Sequence, residues 1–125
     1  MDVGRLNNNT EFYDGYEGEP EVILSILEKQ EYNLHIWDGY FLFIFGAPSQ
    51  NGEGWKGFTR DYNQMERSFG NRSYVIGNVE EYLEDLLQYS KQDFETEETA
   101  ACYALLCDFL SYAKENCYRV HADIE

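Results

Sequence analysis

The stretch that most constrains the fold covers residues 32–46 and reads YNLHIWDGYFLFIFG. Residues 33–37 predict one strand. Residues 40–45 predict a second, because this run is short, rich in aromatic side chains and bounded by two glycines. A short buried helix is the alternative for this apolar run. Between the two predicted strands, Asp38-Gly39 supplies the positive φ values of a type I′ turn, so the stretch predicts a β-hairpin. The second strand is apolar at every position, and we therefore expect it to be central in a sheet and covered on both faces.

Capping residues and apolar spacing predict the other elements. Pro20 between two acidic residues marks a helix start, because proline at an early helical position loses no hydrogen bond. Asn78 and Thr96 are N-cap residues that open two further helices, and Glu81 stands where a side chain reaches back to the first cap. The predicted helices cover residues 20–30, 79–89 and 99–113, and the further strands cover residues 58–62, 72–76 and 118–124.

The order of these elements defines the fold class. It predicts an α+β fold with a mainly antiparallel four- or five-stranded sheet and three helices packed on it. A length of 125 residues is that of one domain, which buries roughly two-thirds of its unfolded surface without metals or crosslinks. We expect a single α+β domain over residues 1–125, with residues 1–10 flexible.

The charge balance departs far from that of an average protein. The chain has 24 acidic and 9 basic residues, a formal net charge of −15. Residues 1–38 have nine acidic and two basic residues, a net charge of −7. Residues 39–79 have three acidic and four basic residues, a net charge of +1. Residues 80–125 have twelve acidic and three basic residues, a net charge of −9. Such a field repels nucleic acid and anionic membranes and attracts cationic partners. High solubility is the simpler interpretation of the same charge.

The sequence indicates a cytoplasmic protein without cofactors. No apolar run approaches the roughly 20 residues of a membrane span, and the first ten residues lack the apolar core of a secretion signal. The three cysteines, Cys102, Cys107 and Cys117, are odd in number and include no C-x-x-C pair, which predicts neither a disulfide framework nor a zinc site. We expect them to be small buried thiols.

No motif in the sequence identifies a reaction. The two histidines, His35 and His121, alternate with apolar residues on predicted strands and are interpreted as hydrogen-bonded residues at the rim of the fold. The chain has no H-E-x-x-H spacing and no G-x-S-x-G turn, so we predict neither catalytic residues nor a metal site. The alternative is that the chain is an enzyme. Loss of an activity when the two histidines are substituted would favour this alternative.

Two segments have the composition of a contact surface for a basic protein. In residues 11–21, tyrosines are interleaved with carboxylates, so that rigid rings provide contact area and charges provide orientation. The helix predicted at residues 79–89 has a continuous acidic face, and the glycine-rich loop 47–57 contains a tryptophan. The candidate contact residues are Tyr13, Asp14, Tyr16, Glu17, Trp55, Glu80, Glu81, Glu84 and Asp85. The alternative for the first segment is an irregular loop whose rings pack on the core.

The chain as a whole resembles the bacterial immunity proteins of secreted contact-dependent or polymorphic toxins, which are small, acidic, cytoplasmic single domains. The resemblance concerns class character, shares no motif and transfers no residues. It implies an inhibitor that covers the basic active site of a toxin, a nuclease first of all, with carboxylates in place of phosphates and tyrosines in apolar pockets. The alternative is a nucleic-acid mimic directed at a restriction or RNA-guided defence nuclease. We expect a monomer or homodimer that binds no nucleic acid directly.

Overall fold

Five strands and four α-helices make up the part of the chain that the computed structural model describes, residues 3–45, 57–64, 72–89 and 94–124. In chain order the elements are a 3-10 helix (Val3–Leu6), β1 (Asn9–Phe12), β2 (Glu21–Ile26), β3 (Lys29–Trp37), α1 (Asp38–Phe45), α2 (Gly57–Gln64), β4 (Arg72–Val75), α3 (Val79–Leu86), α4 (Glu97–Glu115) and β5 (Val120–Ile124).

The strands form one sheet in the order β1-β3-β2-β5-β4. β1 pairs with β3 in parallel, and the three other pairs are antiparallel. The predicted α+β class with a mainly antiparallel sheet is therefore confirmed. β2 lies at the centre, so both of its edges are hydrogen-bonded to neighbouring strands.

One face of this sheet is buried. Val22, Leu24 and Ile26 of β2 have no exposed surface, whereas the residues between them are half-exposed. The Cα pairings of Leu24 with Leu34 and with Ala122 continue the buried rows into β3 and β5. Side chains of all four helices complete the same hydrophobic cluster, so the helices cover this face. Because side chains alternate along a strand, the intervening residues form a second, open face.

Residues 40–45 form most of α1, and the predicted hairpin is wrong. β3 is already flanked by β1 and β2, so it has no free edge for a strand that would follow Asp38-Gly39. The buried residues of α1 recur at helical spacing and pack toward the sheet. They are Tyr40, Phe41, Ile44 and Phe45. The continuous apolar run is thus a short helix in the core and not a strand covered on both faces.

Residues 20–30, predicted as a helix, contain β2 and the turn into β3. The β-branched side chains of Val22, Ile23 and Ile26 favour a strand. Over so short a run, apolar spacing fits a period of two as well as it fits a helix. Pairing with β3 on one side and β5 on the other selects the strand, because it satisfies the backbone hydrogen bonds of this segment in the interior of the sheet.

Residues 58–62, predicted as a strand, belong to α2. Phe58 is fully buried, and its ring centroid lies 5.5 Å from that of Phe41 and 5.8 Å from that of Phe45. Such separations are typical of packed aromatic pairs. The segment is therefore held by an aromatic core that it shares with α1, a contact between distant parts of the chain that local propensity does not reveal.

The five remaining predicted elements are confirmed with shifted bounds: the strand at residues 33–37, which is part of β3, and β4, α3, α4 and β5. The side-chain oxygen of Asn78 accepts a hydrogen bond from the backbone N–H of Glu81 at 3.2 Å. The hydroxyl of Thr96 accepts one from the N–H of Thr99 at the same distance. Both N-caps thus act as predicted, whereas the carboxylate of Glu81 lies 3.6 Å from a guanidinium nitrogen of Arg60.

The three cysteines are free thiols. Cys102 is buried, and burial raises the pKa of its thiol. Cys107 is half-buried and Cys117 is exposed, so the prediction of buried thiols holds fully only for Cys102. The position of Cys117 is set by the end of α4 and not by packing.

α4 ends in a Schellman motif. The N–H of Tyr118 donates to the carbonyl of Ala113 at 2.9 Å, and the N–H of Cys117 donates to that of Lys114 at 3.2 Å. This arrangement places Cys117 in the left-handed region, with φ +57°. Glycine is usual at this position, because a Cβ makes the left-handed conformation unfavourable.

Replacing Cys117 by glycine is expected to stabilise the protein by about 1 kcal/mol, since it removes this strain and keeps both capping hydrogen bonds. Urea denaturation followed by circular dichroism measures the change. Cys117→Ala keeps a Cβ in the same conformation and serves as the control, with little change expected. Equal effects of the two substitutions would show that the strain is not the cause.

Candidate functional site

The loop between β1 and β2, residues 13–20, is folded by its own backbone. The N–H of Tyr16 donates to the carbonyl of Tyr13 at 3.0 Å, and the N–H of Glu19 donates to that of Tyr16 at 2.9 Å. Gly15 and Gly18 have φ values of +94° and +93°, which allow the chain to reverse twice in eight residues. The hydroxyl of Tyr13 donates to the carbonyl of Glu19 at 2.7 Å and closes the loop.

The ring of Tyr16 is stacked on the indole of Trp37, the last residue of β3. Their centroids are 4.1 Å apart and their planes differ by 4°. The six-membered ring of the same indole lies against Gly39, where an added Cβ would come within 2.3 Å of Cη2. Gly39 is therefore required for close approach of an aromatic ring and not for a turn. The loop, the end of the sheet and the start of α1 meet in this stack.

Tyr40 supports the stack from the side. Its centroid lies 5.6 Å from that of Trp37 and 6.1 Å from that of Tyr16, with interplanar angles of 84° and 81°. Burial raises the pKa of Tyr40 to about 12, and a hydrogen bond with Tyr16 and the nearby carboxylate of Glu98 act in the same direction. Tyr40 is therefore a neutral, buried support for Tyr16 near the acidic N-terminus of α4.

Two apolar residues of α1 are exposed beside these rings. Leu42 is 45 % exposed and Phe43 is 52 % exposed, although both belong to an otherwise buried helix. The ring of Phe43 lies 5.9 Å from that of Trp37 and 6.4 Å from that of Tyr40. Exposed apolar side chains that adjoin one another, in contrast to scattered ones, indicate a contact surface.

The loop that carries Tyr16 also carries three carboxylates. Asp14, Glu17 and Glu19 are exposed, and Glu17 accepts a hydrogen bond from the N–H of Gly15 at 3.1 Å. In the described part of the chain, no lysine or arginine forms an ion pair with any of the three. We name the whole the acidic–aromatic surface and define it by Asp14, Tyr16, Glu17, Glu19, Trp37, Leu42 and Phe43.

The acidic residues of α3 have different environments. A side-chain oxygen of Glu80 lies 3.6 Å from Nζ of Lys114, and one of Glu81 lies 3.6 Å from Nη1 of Arg60. Glu84 is exposed, but Asp85 is fully buried. The prediction of a continuous, solvent-facing acidic face is therefore wrong at Asp85. At Glu80 and Glu81 the charge is partly compensated by cations of this chain.

Asp85 is buried because it caps α2. Its Oδ2 accepts hydrogen bonds from the backbone N–H of Thr59 at 3.2 Å and from the Thr59 hydroxyl at 2.6 Å. That hydroxyl also lies 2.7 Å from the hydroxyl of Tyr89. Thr59 is in the first turn of α2, where backbone N–H groups have no partner within the helix and the dipole favours an anion. Asp85 thus joins two helices and is removed from the contact residues.

The predicted contact residues do not form one surface. The loop 13–20 leaves β1, one edge of the sheet, whereas α3 follows β4, the opposite edge. Four strand spacings of ~4.8 Å separate the two edges, about 19 Å. Asp14, Tyr16 and Glu17 lie together in the loop, and Tyr13 is engaged in closing it. Trp55 lies outside the described residues.

The histidines line the open face of the sheet. Nδ1 of His35 lies 2.8 Å from Oε2 of Glu21 and Nε2 lies 3.0 Å from Oδ1 of Asn33, while Nε2 of His121 lies 2.8 Å from Oγ of Ser73. Both border a shallow depression of about 520 Å³. Each imidazole is half-exposed and bound to side chains of the sheet, in agreement with the predicted role at the rim of the fold.

Among the residues that the structure describes, no group of three or more His, Cys, Asp and Glu side chains is arranged to hold a metal ion. In the same residues, no helix combines the length and the apolar character needed to cross a membrane.

Comparison with protein-family models, with curated proteins and with solved structures finds no significant match. The acidic–aromatic surface is therefore interpreted from its own geometry.

Sequence reasoning missed Trp37, Leu42 and Phe43, because residues 40–45 were interpreted as a strand. A helical interpretation of the same run places Leu42 and Phe43 together on the side opposite the buried residues. Trp37 carries no local signal of its role, since its contacts with Tyr16 and Gly39 arise from tertiary packing and from the turn into α1.

Gly39→Ala is expected to destabilise the protein by about 1–3 kcal/mol, because the added Cβ would overlap the indole of Trp37 and force overpacking. The sign of this stability change is informative. In an ordinary helix, replacing glycine by alanine stabilises the helix by up to ~1 kcal/mol. Urea denaturation measures the effect. Gly77→Ala is the control, because a Cβ there has no neighbour within 4 Å. A stabilising Gly39→Ala would contradict the proposed packing.

Stability is expected to fall as pH rises from 10 to about 12, because the pKa of Tyr40 is raised to about 12. In this range the unfolded chain releases the phenol proton and the folded protein keeps it, which favours unfolding by up to ~1.4 kcal/mol per pH unit for this group. Below pH 10 both states keep the proton and its contribution is constant. Urea denaturation at pH 8 to 11.5 should show a shallower fall for Tyr40→Phe, and identical profiles would disprove the assignment.

Proposed function

We propose that this chain is an inhibitor that binds a basic protein, as the bacterial immunity proteins of secreted nuclease toxins do, and that the acidic–aromatic surface is its contact site. The observation that supports this most is the position of Trp37, which stacks on Tyr16 of the acidic loop and contacts exposed Phe43 of α1. The loop carries three exposed carboxylates without cationic partners among the described residues. Exposed apolar area next to uncompensated charge is suited to a partner that covers both.

The apolar residues provide binding free energy. Covering the exposed half of Leu42 and Phe43 removes apolar area from water and contributes on the order of 1 kcal/mol for each side chain. The stack of Tyr16 on Trp37 adds rigid aromatic area at a small entropic cost, because both rings are already held in place. These residues would form the centre of the interface, where the energy of protein–protein contacts is concentrated.

The charge provides rate and selectivity. A net charge of −15 accelerates the encounter with a cationic protein and disfavours nucleic acid and anionic surfaces. Glu80 and Glu84 on α3 contribute to this long-range field without direct contact. Asp14, Glu17 and Glu19 are in the loop that Tyr16 joins to Trp37, and we expect them to replace phosphates in the cationic cleft of a nuclease.

The test begins with the genes on either side of the gene for this chain, and uses the product of any toxin gene found there. We expect the two proteins to bind, the nuclease activity to be lost on binding, and the association rate to fall at least about tenfold between 50 and 500 mM NaCl, because salt screens charge steering. Stopped-flow measurements give the rate. A rate indifferent to salt would be evidence against the steering role of the charge.

Two charge-reversal variants locate the contact site. Asp14→Lys with Glu17→Lys, and Glu80→Lys with Glu84→Lys, each change the net charge from −15 to −11, because each substitution removes one negative charge and adds one positive charge. Both double variants should slow association with the toxin to the same extent, because they change the net charge equally. Only the loop variant should also raise the dissociation rate, by about tenfold or more, since short-range contacts act mainly there. A larger dissociation effect of the α3 variant would move the interface to α3.

The nucleic-acid mimic is the alternative, and the same measurements distinguish it. Such a protein would bind a restriction or RNA-guided defence nuclease and would not bind the adjacent toxin. It would depend on carboxylates along an extended surface and little on Leu42 or Phe43. Binding to a defence nuclease that is unchanged by Phe43→Ser would favour this alternative over the toxin inhibitor.

A further inference from the structure

The open face of the Tyr16 ring is the part of the acidic–aromatic surface with the most specific geometry. One face of the ring is covered by Trp37, with planes within 4° of parallel. Tyr40 is nearly equidistant from the two stacked rings, at 5.6 and 6.1 Å, so it lies beside the stack and not on its outer side. Tyr16 is half-exposed and Trp37 covers one face of its ring, from which we infer that the outer face is open to solvent.

Two carboxylates are close to Tyr16 in the chain. Asp14 and Glu17 are within two residues of Tyr16 in a loop whose turns are closed by backbone hydrogen bonds. The side chain of Glu17 is oriented by the N–H of Gly15, which donates to its Oε2 at 3.1 Å. That bond uses one carboxylate oxygen and leaves the other available as an acceptor. A flat aromatic face and oriented acceptors are therefore presented together.

We propose that this position receives an arginine side chain of the basic partner, with the guanidinium flat on the outer face of Tyr16 and its N–H groups directed at Asp14 and Glu17. This inference rests on the proposed function and specifies the partner residue at its centre. Guanidinium is planar, stacks on aromatic rings and donates in a fork that matches a carboxylate, whereas a lysine ammonium is a compact and strongly hydrated charge.

The neighbouring residues fit the rest of such a side chain. An arginine carries a three-carbon stem that packs on apolar surface while its head remains polar. Phe43 is exposed and contacts Trp37, the inner ring of the stack, at 5.9 Å, so it provides apolar surface near the stack. The surface should therefore prefer arginine over lysine by more than charge alone predicts.

The experiment compares hexa-arginine with hexa-lysine binding to the intact protein by isothermal titration calorimetry in 50 mM NaCl. The two peptides have equal charge and measure the preference for guanidinium directly. We expect hexa-arginine to bind at least about fivefold more tightly than hexa-lysine. This ratio of dissociation constants corresponds to the free energy of one cation stacked on an aromatic ring. Tyr16→Leu should reduce this ratio to below about twofold, while Tyr16→Phe, which keeps the ring, should preserve it.

Two further variants separate this contact from changes in folding. Tyr32→Leu removes a half-buried tyrosine that packs on Tyr112 at the other end of β3, and the preference for arginine should remain. Asp14→Asn with Glu17→Gln keeps the ring and the stack but removes the carboxylates, and the preference should fall. Circular dichroism confirms that each variant is folded.

The outcomes distinguish this inference from the proposed function. Equal affinity of the unmodified protein for the two peptides, or a preference for arginine that persists in Tyr16→Leu, overturns the arginine site and leaves the acidic inhibitor intact. Failure of both peptides to bind at 50 mM NaCl overturns the arginine site and also contradicts the affinity for cationic partners on which the proposed function depends.

Discussion

The burial of one face of the five-stranded sheet is the constraint on which the rest of the structure depends. Alternate residues of β2, β3 and β5 are buried on the same face of the sheet, and the registers between these strands align them in rows. An apolar face of this kind needs a cover, and α1, α2, α3 and α4 provide it. The short apolar segment after β3 is part of this cover, which is why it folds as a helix although its residues favour a strand.

Trp37 packs between Gly39 and Tyr16, and this stack fixes the position of the acidic–aromatic surface on the fold. It holds the acidic loop against the end of β3 and the start of α1, and exposed Phe43 contacts the same indole. Because the rings are packed before any partner arrives, little conformational entropy remains to be lost on binding. The loop is thus a rigid part of the fold, although its composition of glycine, tyrosine and acid is that of an irregular segment.

The acidic residues of this chain serve different purposes. Asp85 satisfies the backbone of α2 in the interior, Glu28 accepts two hydrogen bonds from Arg119, which lower its pKa, and Glu81 lies beside Arg60. The loop carboxylates have no such cation among the described residues. Formal charge therefore overstates the acidic surface available to a partner, and hydrogen bonds and ion pairs within the chain decide which carboxylates remain available.

The sequence alone determined the features that depend on neighbours in the chain. The caps at Asn78 and Thr96 set the start of α3 and α4, and alternation in residues 118–124 identified the last strand, because these signals act over a few residues. The acidic and aromatic character of the loop was also evident. Only the tertiary structure decided whether a short apolar run became strand or helix, since local propensity is weak and the free edges of the sheet determine which segments can pair. It also decided that Asp85 is buried, that Trp37 stacks on Tyr16 and that Phe43 contacts Trp37, because contacts between residues far apart in the chain assign each side chain to core or surface.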